Sequence, residues 1–208
     1  WLTPRPRIVA FRGITSPLHR YDPAEWLTYL NPRVAGYACE SQAVRNAMLR
    51  SGVAASKCAV VYNFVPPPLV PGATRAALAE FEIPEDAFVI GMVANMRRVK
   101  GADILLEAAK RLAGSSNVFW LLIGSIRDQR VRRMLQDRQL RCRVRTLGFR
   151  TDATQLMSAL DVFAMPSRQE ALCRALLEAM SRGVCPVVSD AGGLPEAVRH
   201  GVDGLVVP

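Results

Sequence analysis

Residues 166–198 read PSRQEALCRALLEAMSRGVCPVVSDAGGLPEAV. Leu172, Ala175, Leu176, Ala179 and Met180 recur at helical spacing and Gly183 supplies a stop, which predicts a helix over 171–182. Val184 to Ser189 follows as a short apolar run, read as a buried strand, and Gly192-Gly193 then permits a tight turn before Pro195 opens the next helix. Glu170 and Glu178 bracket the first helical turns. If the helix starts just after Glu170, both carboxylates lie on its polar side, roughly 12 Å apart along the axis at the usual rise per residue. That is the span of a sugar, a diphosphate and a ribose. The spacing fits a solvated face equally well, because Arg174 and Glu178 stand four apart and can form an ordinary ion pair.

Upstream of this block the same alternation repeats. Strands are predicted at Phe88–Val93, Val118–Ile123, Arg143–Leu147 and Asp161–Met165, with another at Gly204–Val207. Helices are predicted at Ala102–Leu112, Asp128–Gln139, Asp152–Leu160 and Leu194–Arg199. This rhythm predicts an α/β fold, a Rossmann-like parallel sheet with helices on both faces, whose ligands meet the carboxyl ends of the strands. Before it, Ile8–Phe11, Val34–Cys39 and Cys58–Tyr62 read as strands, and Ser41 caps a helix running to about Arg50. Pro66-Pro67-Pro68 and Pro71-Gly72 interrupt the pattern as a linker does. The expected organisation is therefore part of a first Rossmann-like domain (1–66), a linker (67–85) and a second domain (86–208).

With 208 residues, half of them hydrophobic, the chain has a sizeable core available and is not a disordered tail. No apolar run approaches the roughly 18 residues of a membrane span, so a soluble or peripheral protein is expected. The five cysteines show no close paired spacing, which argues against a disulfide framework or metal site and points to a reducing compartment. The net charge of +9 comes almost wholly from arginine, clustered at 127–138 and 141–150. Such a surface can attract anionic lipid, nucleic acid or phosphorylated glycans, and an arginine-rich face that is merely solvated accounts for it equally well.

The 166–198 block resembles the signature of retaining glycosyltransferases of family 4, two-domain enzymes of GT-B fold. Pro166, Ser167, Glu170, Glu178, Ala179, Met180, Gly183, Pro186, Val187, Val188, Gly192, Gly193, Pro195 and Glu196 fit that pattern in order. The resemblance implies transfer of a hexose from a nucleotide diphosphate sugar to a glycan or glycolipid acceptor, with retention at the anomeric carbon and no metal or other cofactor. It makes Glu170 the catalytic carboxylate, contacting sugar hydroxyls, and Glu178 the partner of the ribose diol. A carboxylate accepting two hydroxyl donors suits either role.

Such a transfer places growing negative charge on the leaving diphosphate, which fixed cations and backbone donors stabilise best. Val93–Gly101 reads VANMRRVKG, a strand end entering a helix with three cations. Family members carry Arg here, Lys five residues on, then Gly. Lys100 and Gly101 match, but Asn95 stands at the Arg position and lacks its charge and fork, so Arg97 or Arg98 is the expected substitute. The amides of Leu172 and Cys173, at the predicted helix start, form a second phosphate-binding device. The family usually has Gly-Phe-Gly where this chain has Ala171-Leu172-Cys173. Leu147-Gly148-Phe149-Arg150 resembles the segment whose backbone reads the base, with Arg150 nearby, and Gly124 is read as a structural turn or as cleft floor. Where relatives carry a His after a first-domain strand, this chain has Arg12-Gly13, and neither His19 nor His200 is assigned a role.

The expected partners are thus a nucleotide-sugar donor and a glycan or glycolipid acceptor, with peripheral contact to an anionic membrane and no nucleic acid. The expected place is the cytoplasm, at the inner membrane face. Trp1 in place of an initiator Met, and an end just after a strand, suggest a fragment that lacks turnover by itself. Two rival functions remain: a non-catalytic nucleotide-sugar-binding module, which the departures at Asn95, Arg12 and Ala171–Cys173 would suit, and a nucleotide-sugar epimerase, which would need an acid/base set not evident here.

Overall fold

The computed structural model describes residues 7–19, 21–114 and 117–208. Two all-parallel sheets carry the chain. The first has the order β1-β2-β3, from Ile8–Arg12 (β1), Val34–Cys39 (β2) and Cys58–Val60 (β3). Short α1 (Pro23–Leu27) and α2 (Gln42–Arg50) connect them. Ser41 opens α2 as expected, its hydroxyl accepting from the Val44 amide at 3.2 Å.

The second sheet is built from β4 (Phe88–Val93), β5 (Val118–Ile123), β6 (Val144–Gly148), β7 (Val162–Met165), β8 (Cys185–Ser189) and β9 (Leu205–Val207). Its spatial order is β6-β5-β4-β7-β8-β9. The chain therefore lays β5 and β6 on one side of β4, then crosses to the other side for β7. That reversal opens a crevice at the carboxyl ends of β4 and β7, the place where doubly wound sheets bind ligands. The intervening helices are α3 (Ala102–Arg111), α4 (Gln129–Met134), α5 (Arg138–Arg141), α6 (Ala153–Met157), α7 (Arg174–Ser181) and α8 (Leu194–Ala197). Strands buried on both faces read as nearly continuous apolar runs, and Leu121, Leu122, Met92, Phe163 and Val188 are all fully buried between the helices.

The helices expected over 152–160 and 194–199 end early, at Met157 and Ala197, and two others differ more. The one expected over 128–139 is broken into α4 and α5, because Asp137 turns its carboxylate onto the Gln139 amide at 3.0 Å and caps a new start. The one expected over 171–182 begins at Arg174, after an extended Cys173. Within the expected linker, residues from Arg75 onward pack into the second core, where Leu78 and Ile83 are buried. Arg75 pairs with Asp161 at 2.6 Å, and the second carboxylate oxygen of Asp161 accepts from the Val89 amide at 2.6 Å. Among the described residues no helix is long and apolar enough to cross a membrane.

One carboxylate bridges the two sheets at three points. Glu196, in the first turn of α8, accepts from the Gln42 and Ala43 amides at 2.7 and 2.8 Å, and from the Tyr62 hydroxyl at 2.9 Å. The free N–H groups at the start of α2 are thus capped from the other sheet. Phe163, at the centre of the second sheet and fully buried, tests the core. Phe163→Ala should lower unfolding free energy by about 3–5 kcal/mol in chemical denaturation; a loss under 1 kcal/mol would contradict this packing.

Candidate active site at the sheet reversal

The loops leaving β4 and β7 are brought together by one fork, an exposed arginine on a buried carboxylate. Arg168 donates from both terminal nitrogens to the two oxygens of Asp103, each at 2.7 Å, and also to the Arg98 carbonyl at 2.8 Å. The Arg168 amide donates to the Val99 carbonyl at 2.8 Å. Asp103 is buried in the first turn of α3, and the Arg168 guanidinium holds its carboxyl below the usual carboxylate range. With the loops so held, Lys100 donates to Glu170 at 2.5 Å, and Ser167 donates to the same oxygen at 3.3 Å. Both members of this ion pair are largely shielded, with 18% and 11% of the side chain exposed.

Glycines allow the backbones to come this close. Gly101 has φ +72°, and a β-carbon there would lie 1.7 Å from the Pro166 carbonyl oxygen. Across the loop, β-carbons on Gly192 and Gly193 would each lie 1.7 Å from the Glu170 and Ala171 carbonyl oxygens, and the Gly193 amide donates to the Glu170 carbonyl. This Gly-Gly turn packs against the Glu170–Ala171 backbone. It also explains the late start of α7: residues 170–173 are held out of helical geometry against the turn, and the helix begins only after the extended Cys173.

Pair and loops line a cleft of about 260 Å³ shared by both sheets. Arg97, Val99, Lys100, Gln169, Glu170 and Ala171 form one wall, and Gly13–Ser16, just after β1, form the other. Gln169 reaches across it to the Thr15 hydroxyl at 3.0 Å. A second hollow of about 210 Å³ lies at the ends of β4, β5 and β6, lined by Asn95, Gly124, Phe149 and Arg150 among others. A larger concavity between Met180 and Leu205, about 480 Å³, lies at the amino ends of β8 and β9, away from these strand ends.

The expected residues thus divide. Arg97, Lys100 and Glu170 come together in the cleft, while Arg98 faces a different concavity with Asp103, Asp128, Arg130 and Arg168. Of the two candidates for the charge missing at Asn95, Arg97 is the one in place. Asn95 and Arg150 share the second hollow, where Arg150 forks onto Asp152 at 2.8 and 2.7 Å and lies over the Phe81 ring. Leu172 and Cys173 are buried, and burial, with the neighbouring Glu170 charge, pushes the Cys173 thiol up to about 11. It is a packing residue rather than a nucleophile at neutral pH. Glu178 does carry the foreseen Arg174 pair, at 2.8 Å, with the arginine 75% exposed. Because α7 starts at Arg174, Glu170 lies in the preceding loop and the helical 12 Å estimate does not apply to the two carboxylates.

Arg12, where relatives were expected to carry a His, is wholly buried. Its guanidinium donates to the Ser16 carbonyl at 2.9 Å and stacks on the Tyr29 ring, so it supports the Gly13–Ser16 wall from behind. Arg168 and Asp103 were not foreseen. Asp103 carried a signal, an acid among the buried positions Ala102, Leu105 and Leu106, which demands a partner. Among the described residues no cluster of three or more His, Cys, Asp or Glu could hold a metal.

The family described as glycosyl transferases group 1 matches residues 74–208, and the chain belongs to it. The fold is that of GT-B glycosyltransferases. The chain is 30% identical to Anabaena HepE, solved with UDP-glucose, at a TM-score of 0.77 over 86% of this chain and 51% of that one. It is 33% identical over 149 residues to the lipopolysaccharide core biosynthesis glycosyltransferase LpsE of Rhizobium meliloti, covering 71% of this chain and 42% of LpsE. It is 32% identical over 111 residues to the O-antigen biosynthesis glycosyltransferase WclY of Escherichia coli, covering 53% and 30% respectively. The chain therefore spans less than half the length of these two relatives and about half of HepE.

Two outcomes check the site. Alkylation of the native protein at pH 8 should label the exposed Cys142 and Cys185 and spare Cys173, as read by peptide mass spectrometry; rapid labelling of Cys173 would mean that the loop is not packed as described. Gly192→Ala should cost about 1–3 kcal/mol in a denaturant titration, because its positive φ and the Glu170 carbonyl leave no room for a methyl group.

Proposed function

We propose that residues 86–208 form the donor-binding domain, and 1–66 the adjoining part of the acceptor domain, joined by 67–85, of a retaining glycosyltransferase. It moves a hexose from a nucleotide diphosphate sugar to a glycan or glycolipid. The observation that carries this reading is the Lys100–Glu170 pair in a cleft at the strand-order reversal, flanked by Arg97 and closed on its far side by the first sheet. Lys100 and Arg97 take up the charge that grows on the leaving diphosphate, aided by the amides where α7 begins, around Leu172 and Cys173. Glu170 accepts sugar hydroxyls and orients the anomeric carbon, and Glu178 takes the ribose diol. The base occupies the hollow of Asn95, Phe149 and Arg150.

HepE, solved with UDP-glucose, supports a nucleotide sugar as donor, and LpsE and WclY support a lipid-linked or polysaccharide acceptor. The excess of arginine suits work on the cytoplasmic side of an anionic membrane. In calorimetry of the full-length protein with nucleoside diphosphates, Glu178→Ala should weaken binding at least about tenfold, from the ~1.5–3 kcal/mol of a hydrogen bond to a charged group. Unaltered affinity would remove Glu178 from the ribose site. Sugar transfer or donor hydrolysis that disappears in Glu170→Ala while nucleotide affinity stays would separate an enzyme from a binding module.

A further inference from the structure

The mouth of the cleft is spanned by a bond from one wall to the other. Gln169 donates from Nε2 to the Thr15 hydroxyl at 3.0 Å, and both residues line the cleft. The loop that carries the glutamine runs inward from there: Gln169 is exposed, the Glu170 side chain is 11% exposed, and Ala171 is buried. On the facing wall Ile14 is exposed, and Thr15 and Ser16 are half-buried. The bond therefore lies on the solvent side of the Lys100–Glu170 pair.

An exposed hydrogen bond between two side chains ordinarily contributes little, because both partners must be ordered to form it. Here both backbones are already fixed. The Arg168 amide donates to the Val99 carbonyl at 2.8 Å and the Arg168 side chain forks onto Asp103, so Gln169 follows a pinned residue. On the other wall the buried Arg12 holds the Ser16 carbonyl at 2.9 Å, and the Leu18 amide donates to the Ser51 hydroxyl at 2.9 Å. What remains to be ordered is the glutamine side chain and one hydroxyl rotor. The groups left over at this bond suit hydroxyls. Gln169 Oε1 accepts no hydrogen bond from any described residue, and the Thr15 hydroxyl, while accepting from Nε2, still has a proton to donate. The facing wall, Gly13-Ile14-Thr15-Ser16, carries no charge. A polyol entering between Gln169 and Thr15 replaces their one bond by several, to Nε2, Oε1 and the Thr15 hydroxyl, and adds contacts along Ile14 and Ser16. A lone water breaks the bond without filling the gap.

We propose that Gln169 is a specificity-determining residue of the transfer. Clasped to Thr15, it bars water from the bound sugar, and it yields to an uncharged polyol, the hydroxyl-bearing face of a glycan. This rests on the glycosyltransferase reading above. With the clasp open and no polyol in the mouth, water attacks instead. Its oxygen bonds to the anomeric carbon, and the bond from that carbon to the diphosphate oxygen breaks, its electron pair leaving with the diphosphate. The leaving oxygen takes one proton of the water. The clasp thus decides between transfer and loss of the donor, as binding energy from the correct acceptor opens what water alone does not.

The test is donor hydrolysis by the full-length protein without acceptor, using UDP-, GDP-, ADP- and dTDP-hexoses. With the donor that the wild type binds in calorimetry, Gln169→Ala and Thr15→Val should each raise hydrolysis about three- to tenfold, the effect of losing one such hydrogen bond. The rise should lie in kcat rather than KM, because access of water has changed and not the hold on the donor. The double variant should be no faster than the quicker single one, since both remove the same bond. Thr15→Ser, which returns a hydroxyl, should bring the rate back down. Single variants that bind the donor and hydrolyse it no faster than wild type would overturn the clasp alone, and so would rises that add in the double variant, which mark a general loosening. Wild type that binds none of the four donors would overturn the glycosyltransferase reading, and the clasp with it.

Discussion

A parallel sheet does not by itself oblige the loops after β4 and β7 to meet; the fork of Arg168 onto Asp103 is what joins them. It is costly to arrange, because Asp103 is withdrawn from water in an otherwise apolar helix face, and only a partner with two parallel donors satisfies both of its oxygens. Once it exists, Val99 and Arg98 are tied by their carbonyls to the same arginine, and the side chains of Lys100 and Glu170 are left facing one another. The glycines at 101, 192 and 193 then serve a single geometric end, the approach of one backbone to another at distances that a β-carbon would forbid. Charge placement and backbone placement are therefore one problem here, solved together.

Much of the second sheet could be read from residue order. Phe88–Val93 and Val118–Ile123 appear with the predicted bounds, because a strand buried on both faces must be apolar throughout. Ser41, too, announced its helix. What escaped was decided by partners distant in sequence. The start of α7 depends on a turn some twenty residues later, and the break between α4 and α5 depends on whether Asp137 prefers the backbone to solvent, a choice that Lys110 at 2.8 Å helps to settle. At the site, the motif pointed to Glu170 and Lys100 but not to the arginine that positions them.

The departures at Asn95 and Arg12 take on different meanings in three dimensions. Asn95 stands at a different hollow from Lys100, whereas Arg97, two residues on, lines the cleft that holds Lys100. Arg12 is not a reactive group out of place; with Tyr29 beneath it and Ser16 above it, it is the prop of a cleft wall. In both cases the meaning of the residue depends on its neighbours in space, which a comparison of motifs position by position does not reveal.

The Glu196 carboxylate, which caps α2 from across the sheet boundary, has a consequence for folding order and for motion. A helix of nine residues whose first two amides are satisfied from across the sheet boundary, with only the third capped by its own Ser41, has part of its stability on loan. Separating the two sheets would expose those amides and the Glu196 charge in the same step, so hinge opening and fraying of α2 are thermodynamically coupled events. A ligand that binds both walls of the cleft would then protect the amide hydrogens of α2 from solvent exchange without touching the helix.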